Sequence, residues 1–368
     1  MVEVLQFGLS ENRGGIETYL RKIWRYIDKT QYHFSFIDMT GEGRFPCFYD
    51  ELYATGCSFF KVTPRSVSVR KNREDIRRLF SENHFDIFHF NVNTLSYVYP
   101  VEEALRNGCH VIVHSRNAGT APNSFITKWL HSINKVRLKR MDITRIAVSN
   151  MAGEWLFGDS HFDVYHNGVI TDNFKYSKVN RQMIREDLGC LDKLVIANVG
   201  AFLPAKNHMF MVNVFEEFKK THPNACLWFI GDGPLRKDIE SVVRNKGLQS
   251  CVLFLGVRKD LEKLYAGMDL FWFPSLYEGF GSVILEAECE GVPCLVSDCI
   301  PLDALIADNT FSFDINKTTN EWVLKMDEAI KAQKSNREYC YKEIENMGAS
   351  VKNEITRLEK LYSSRVNM

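Results

Sequence analysis

Short apolar runs alternate with amphipathic stretches along almost the whole chain, and the alternation comes in two separate series. The first has strand candidates at 2–7, 32–37, 58–62, 86–90, 110–114 and 145–148. Helical spacing separates most of them. In 16–27, for example, Ile16, Tyr19, Leu20, Ile23, Trp24 and Ile27 share one face. Strands that read as continuous apolar runs between helices imply a parallel sheet covered by helices. The series stops at Asn167-Gly168, a turn signal, and the polar stretch 171–180. After a short helix at 181–188 it restarts, with strand candidates at 194–199, 225–230, 252–255, 270–273, 293–296 and 311–313. The pattern predicts an α/β protein of two Rossmann-like domains in series, 1–172 and 173–347, joined near 168–190. The segment 351–362 has Ile355, Leu358 and Leu361 at helical spacing and reads as a terminal helix. Residues 348–368 are expected to pack back on the N-terminal domain.

The length of 368 residues fits two domains, at about 150 residues each. Lysine plus arginine (46) balances aspartate plus glutamate (46), which disfavours a protein that coats nucleic acid through its overall charge. Ten cysteines in a chain of this length include no Cys-x-x-Cys pair, and Cys289, Cys294 and Cys299 are too evenly spread to share a metal from one regular element. They read as free thiols in a reducing compartment. The first eight residues are too short and wrongly flanked for a signal peptide, and no run approaches the ~18 apolar residues of a membrane span. The expected location is cytoplasmic, with the inner membrane surface as the one alternative.

In open α/β sheets ligands bind beyond the carboxyl ends of the strands, so the chemistry belongs in loops that follow strands. The most informative stretch runs from Phe271 through Pro274-Ser275 to Glu278-Gly279-Phe280-Gly281 and Glu286. Proline ends the strand ladder. The glycines allow close backbone approach, and a helix start favours an anion. Glu286 lies eight residues after Glu278, about two helical turns, and is expected on roughly the same face. It stands within the apolar run 283–287, where a carboxylate needs a partner.

This block, Pro-Ser-x-x-Glu-Gly-Phe-Gly followed by the second glutamate of a Glu-x7-Glu spacing, resembles the donor site of glycosyltransferase family 4. Those enzymes are retaining and have the GT-B fold, two Rossmann-like domains facing across a cleft. The resemblance covers nearly the whole chain. Gly14-Gly15-Ile16-Glu17 is similar to the family's N-terminal loop, Asp86-Ile-Phe-His89 to its Asp-x-x-His strand, and Asn167-Gly168-Val169 to the turn before its linker. Lys206 stands at the family's lysine, and 230–236 matches the third strand of the second domain and its loop. The resemblance implies that Glu278 holds the donor sugar, Glu286 binds ribose hydroxyls, and Lys206 neutralises the leaving diphosphate. Gly279, Phe280 and Gly281 would offer backbone N–H groups, and Gly14 and Gly15 would close over phosphates or acceptor.

Two positions depart from the pattern. Ala201 occupies the place of a diphosphate-binding arginine, with Arg236, Arg258 and Lys259 as conceivable substitutes. His114-Ser-Arg-Asn117 leaves two candidates beside the reacting sugar, His114 and Arg116. No Asp-x-Asp occurs, so the chain offers no obvious acidic metal motif; the resemblance implies that no metal and no cofactor are needed. The implied activity is transfer of a sugar from a nucleotide-diphosphate donor, a UDP-sugar by family frequency, to a saccharide or lipid-linked acceptor of bacterial envelope polysaccharide. A non-catalytic sugar-nucleotide-binding subunit and a sugar-nucleotide epimerase are the competing functions.

Two stretches are strongly basic: 61–78, with seven basic and two acidic residues, and 128–145, with six and one. The second overlaps an apolar stripe, Ile126, Trp129, Leu130 and Ile133. The plainer expectation is a helix that packs this stripe on the sheet with its charges outside. The alternative is a helix that lies on anionic lipid.

Overall fold

The computed structural model describes residues 1–119 and 125–366. The chain divides into two compact units, Met1–Asn167 with Val351–Met368, and Gly168–Ser350.

The first unit contains β1 (Val2–Phe7), α1 (Gly15–Tyr26), β2 (Tyr32–Asp38), α2 (Tyr49–Ala54), β3 (Ser58–Lys61), α3 (Val69–Glu82), β4 (Ile87–Val92), α4 (Tyr99–Arg106), β5 (His110–Ser115), α5 (Phe125–Lys139), β6 (Thr144–Ala147), α6 (Asn150–Phe157) and β7 (Asp163–Val164). The strands form one parallel sheet in the order β3-β2-β1-β4-β5-β6-β7. Right-handed crossovers put α1 and α2 on one face and α3, α4 and α5 on the other. Phe34, Phe36, Ile87, Phe88, Phe90 and Ile112 are fully buried, as continuous apolar strands between two helical layers require. Ser68 and Ser149 cap α3 and α6 by accepting from Lys71 N and Ala152 N.

The second unit contains α7 (Lys178–Asp187), β8 (Leu194–Val199), α8 (His208–Thr221), β9 (Ala225–Ile230), α9 (Arg236–Asn245), β10 (Val252–Gly256), α10 (Leu261–Gly267), β11 (Leu270–Phe273), α11 (Ser282–Cys289), β12 (Cys294–Ser297), β13 (Thr310–Phe313), α12 (Thr319–Lys331) and α13 (Cys340–Asn346). Its parallel sheet has the order β10-β9-β8-β11-β12-β13. The main core joins this sheet to α8, α9 and α12 through Phe215, Phe218, Ile239, Trp272 and Trp322. A capping box of Thr318 and Glu321 starts α12.

The chain then returns to the first unit as α14 (Val351–Val366). Its buried residues include Ile355, Leu358, Leu361 and Tyr362. The division falls at 167/168 and 350/351, against the expected 172/173 and 347/348. The offsets have one cause: Val169 N donates to Ala349 O, and Val169 and Ser350 form a β-bridge inside the second unit. All ten cysteines are free thiols, eight of them buried.

The apolar stripe of α5 corrects the plainer expectation. Of the four expected residues, Ile126, Trp129 and Ile133 are exposed and Leu130 is half-buried; Phe125 and Val136 are exposed beside them, and the buried residues of the helix are His131, Asn134 and Leu138.

Candidate active site

In the second unit the connections run in opposite directions from two neighbouring central strands. From β8 the chain crosses toward β9, and from β11 toward β12. Loops part at such a point, and the space beyond the strand ends is where open α/β sheets bind ligands. Lys206 and Glu278 lie in these two loops. Lys206 ends a 3-10 turn, Pro204–Lys206, after β8, and Glu278 follows β11. Two hydrogen bonds tie the loops together. Leu276 N donates to Ala205 O at 2.8 Å, and Asn207 Nδ2 donates to Pro274 O at 3.3 Å.

The Lys206 ammonium forms an ion pair with Glu278 Oε1 and sits 4.5 Å from the Phe273 ring centroid. Both charged side chains are largely shielded, at 17% and 16% exposure. The loop after β9 presses on this arrangement. A Cβ at Gly231, where φ is +143°, would stand 2.1 Å from Gly200 O. Only glycine fits there, so the backbone beneath Lys206 is fixed. His208, two residues on at the start of α8, stacks on Phe202 with 4.2 Å between centroids. Burial and the Lys206 charge pull its imidazole down to about 4.

Gly281, at φ +80°, caps α11. The helix therefore starts at Ser282, and Glu278 stands outside it. This corrects the expectation of two carboxylates on one helical face, because the residues between them turn before they coil. Gly279 and Phe280, in that turn, are buried. Glu286 lies in the second turn of α11 and accepts a hydrogen bond from Tyr265 Oη at 2.9 Å. The required partner is thus a neutral phenol. Burial, then the Glu286 charge, holds the Tyr265 hydroxyl well above its usual range. Tyr265 belongs to no motif in the sequence, and nothing local singles it out.

In the first unit the corresponding divergence lies between β1 and β4. Gly14 and Gly15 are exposed at the start of α1, after β1. Gly14 has extended backbone, and a Cβ there would meet Glu17 Oε2 at 2.8 Å; a Cβ at Gly15 would meet nothing within 4 Å.

His114 and Arg116 stand at the end of β5 in one buried polar chain. Arg116 Nη1 lies 3.0 Å from His114 Nε2, His114 Nδ1 3.1 Å from His89 Nε2, and His89 Nδ1 2.7 Å from Tyr362 Oη. Guanidinium only donates, which fixes the direction of every link. His114 Nε2 accepts, so His114 Nδ1–H donates to His89, and His89 Nδ1–H donates to Tyr362. Gln6 Nε2 also donates to Tyr362 Oη, at 3.1 Å. Burial and the Arg116 charge push His89 down to about 3 and His114 well below the usual imidazole range. Both rings are neutral at physiological pH. Arg116 is the half-buried end of this polar chain: it donates to Asn167 Oδ1 at 2.8 Å and stacks 3.6 Å from the Tyr19 ring centroid. Both His114 ring nitrogens are engaged within the unit.

Of the conceivable substitutes for the cation missing at Ala201, Arg236 is held by Glu240 and Asp232, and Arg258 by both Asp260 oxygens. Lys259 is exposed.

Residues 180–347 match the family described as glycosyl transferases group 1. Over 376 aligned residues the chain is 27% identical to the putative glycosyltransferase EpsF of Bacillus subtilis (strain 168), covering 96% of this chain and 94% of that one. It is 23% identical to the UDP-Gal:alpha-D-GlcNAc-diphosphoundecaprenol alpha-1,3-galactosyltransferase of Escherichia coli, with 84% of each chain covered. The fold matches that of Anabaena HepE, solved in complex with UDP and glucose. The TM-score is 0.81 at 19% identity, covering 99% of this chain and 100% of that one.

Proposed function

We propose, from the match of residues 180–347 to glycosyl transferases group 1, that the protein is a retaining, metal-independent glycosyltransferase of bacterial cell-envelope polysaccharide synthesis. Its donor is a nucleotide-diphosphate sugar, a UDP-sugar, and its acceptor a saccharide or lipid-linked saccharide. It works at the cytoplasmic side of the membrane.

The Lys206–Glu278 pair at the divergence of β8 and β11 carries this reading. An ammonium there, with the start of α11 nearby, supplies positive charge where a diphosphate departs from the anomeric carbon. In this reading Glu278 gives up Lys206 to the diphosphate and accepts hydrogen bonds from the donor sugar. Glu286, oriented by Tyr265, takes the ribose hydroxyls. Gly279, Phe280 and Gly281 contribute backbone amides, and Gly14 and Gly15 leave the first-unit loop free of side chains for phosphate or acceptor. Arg116 is the cation that His114 and His89 aim. The bond from the anomeric carbon to the diphosphate breaks, the acceptor hydroxyl oxygen bonds to that carbon on the same face, and the hydroxyl proton passes to the departing diphosphate. The lipid-diphosphate acceptor of the E. coli relative and the UDP held by HepE support the donor and acceptor classes.

A thermal-shift series with UDP, its sugars and other nucleoside diphosphates tests the donor, since a ligand of the native state raises the melting temperature. UDP is expected to give the largest shift. Glu286→Gln should weaken UDP binding about tenfold or more, whereas Glu278→Ala should leave binding near normal and lower turnover roughly 100-fold. Equal, mild effects of both would remove the carboxylates from the site. The engaged state of Arg236 and Arg258 favours one second reading, a binder without turnover. Acceptor-dependent release of UDP separates the two, and transfer to an added acceptor excludes an epimerase.

A further inference from the structure

The most unusual surface of the first unit is α5. A helix on a globular domain ordinarily turns its apolar stripe inward. At about 100° per residue, Phe125, Val136, Trp129, Ile133 and Ile126 form one outward stripe, opposite His131, Asn134 and Leu138. The solvent exposure of the five runs from 40% at Ile133 to 82% at Phe125. Polar groups attach the inward side. His131 Nδ1 accepts from Leu95 N at 3.1 Å, its Nε2 lies 3.3 Å from Trp155 O, and Asn134 Nδ2 donates to Leu95 O at 2.6 Å. With Leu138 the one apolar residue buried beside them, the helix is held without the five apolar side chains of the stripe, which remain available to something else.

Cations frame the stripe. Lys128, Lys139, Arg137 and Arg140 are exposed around it. The same face of the sheet carries α4, joined to α5 by the Arg137–Glu102 ion pair, and α3, which reaches α4 through Arg77 and Glu103. On α3, Arg70, Arg73 and Arg77 line a shallow hollow with Val69, Glu74 and Tyr99. Arg70, Arg77 and Arg78 have side chains at least 64% exposed.

We propose that this face docks the protein on a bilayer bearing anionic lipid, with the α5 stripe entering the acyl boundary and the cations of α3 and α5 meeting headgroup phosphates. Charge complementarity selects this occupant. A second copy of the chain would bring the same cations against one another, whereas an anionic bilayer pairs with them and also covers the apolar residues. The proposal rests on the reading above that the acceptor is lipid-linked, for which residence at the membrane is a physical need.

The full chain is sedimented with vesicles of phosphatidylcholine containing phosphatidylglycerol, and with phosphatidylcholine alone, at low and high salt. Binding to the anionic vesicles only, weakened at high salt, is expected. The double substitution Trp129→Glu with Ile133→Glu should reduce it at least tenfold, and Arg137→Ala with Arg140→Ala should reduce its salt dependence. A blue shift of tryptophan emission on binding, absent in Trp129→Phe, is the second readout. The stripe is exposed, so these variants should melt like the parent and keep its UDP-induced thermal shift. A wild-type chain that stays in the supernatant at low salt overturns the proposal. So does undiminished binding by the double variant, or lipid-free self-association that this variant abolishes. Absence of a UDP shift with vesicle binding intact would sink the donor reading and leave the docking surface standing.

Discussion

His89 and His114 are neutral because their environment allows nothing else. Each ring is sealed in unit 1 with Arg116 nearby, and a second positive charge there would be unpaired. The sign of the resulting pH dependence follows from linkage. Both folded-state pKa values lie below the unfolded imidazole value of about 6.5, so unfolding takes up protons once the pH falls below it. Stability from these rings is complete above that pH and declines as it falls toward 3, by up to about 1.4 kcal/mol per pH unit for each ring. His89→Phe should therefore cost roughly 1–3 kcal/mol at pH 7, where it strands the His114 donor. The cost should shrink at pH 5, where the parent is itself weakened. Thermal melts of both proteins at the two pH values measure this, and a cost that grows at pH 5 contradicts the neutral pair. At this scale sequence alone names the residues but not their grouping. His114, Arg116 and His89 stand in recognisable segments, yet the link that orders them runs to Tyr362, 273 residues beyond His89.

Among elements, α11 has two ends with different tasks. Its start carries the site, while Glu288 and Glu290 near its C-terminus are buried. Glu288 is satisfied on one oxygen by Ile306 N, Ala307 N and Thr310 Oγ1. Neither Glu290 oxygen has a hydrogen-bond partner among the described residues. Burial raises its carboxyl to about 8, against the pull of Arg337 and with the push of Glu262. An unfolded glutamate ionises near 4.3, so between there and about 8 unfolding releases a proton and stability falls as pH rises. Glu290→Gln keeps the shape and cannot ionise. Its melting temperature should gain on the parent from pH 5 to pH 8, by roughly 10 °C in the unit-2 transition. An unchanged difference across that range would mean that Glu290 finds compensation in solution. The elements themselves are legible in sequence wherever an apolar run is long, and where their ends shift they do so by one to four residues. Gly281 moves the start of α11 past Glu278. Periodicity reports a stripe but not which way it faces, and α5 is oriented by His131 and Asn134, polar residues with no sequence sign of burial.

For the whole molecule, the two series of strands translate directly into two parallel sheets because a βαβ crossover has one hand. Strand order is what sequence could not supply, and it is the order that sets β8 beside β11 and so Lys206 beside Glu278. The last sixteen helical residues break the linear rule, since α14 belongs with the first unit although it follows the second. Ile355, Leu358, Leu361 and Tyr362 are each at most 7% exposed. Burying side chains of this size contributes about 1.5–3 kcal/mol apiece, so together they rival the 5–15 kcal/mol that holds a typical domain. A chain ending at Ser350 also leaves His89 and Gln6 without their shared hydroxyl. The first unit should then fail to fold, while the second, whose core draws nothing from α14, keeps its melting transition and its UDP shift. Calorimetry should show one transition in place of those of the parent, and proteolysis should trim the product to a fragment near 168–350. A truncated chain that melts as the parent does would mean that α14 adds little, and the buried Gln6–Tyr362 hydrogen bond, 356 residues apart in sequence, would need another purpose.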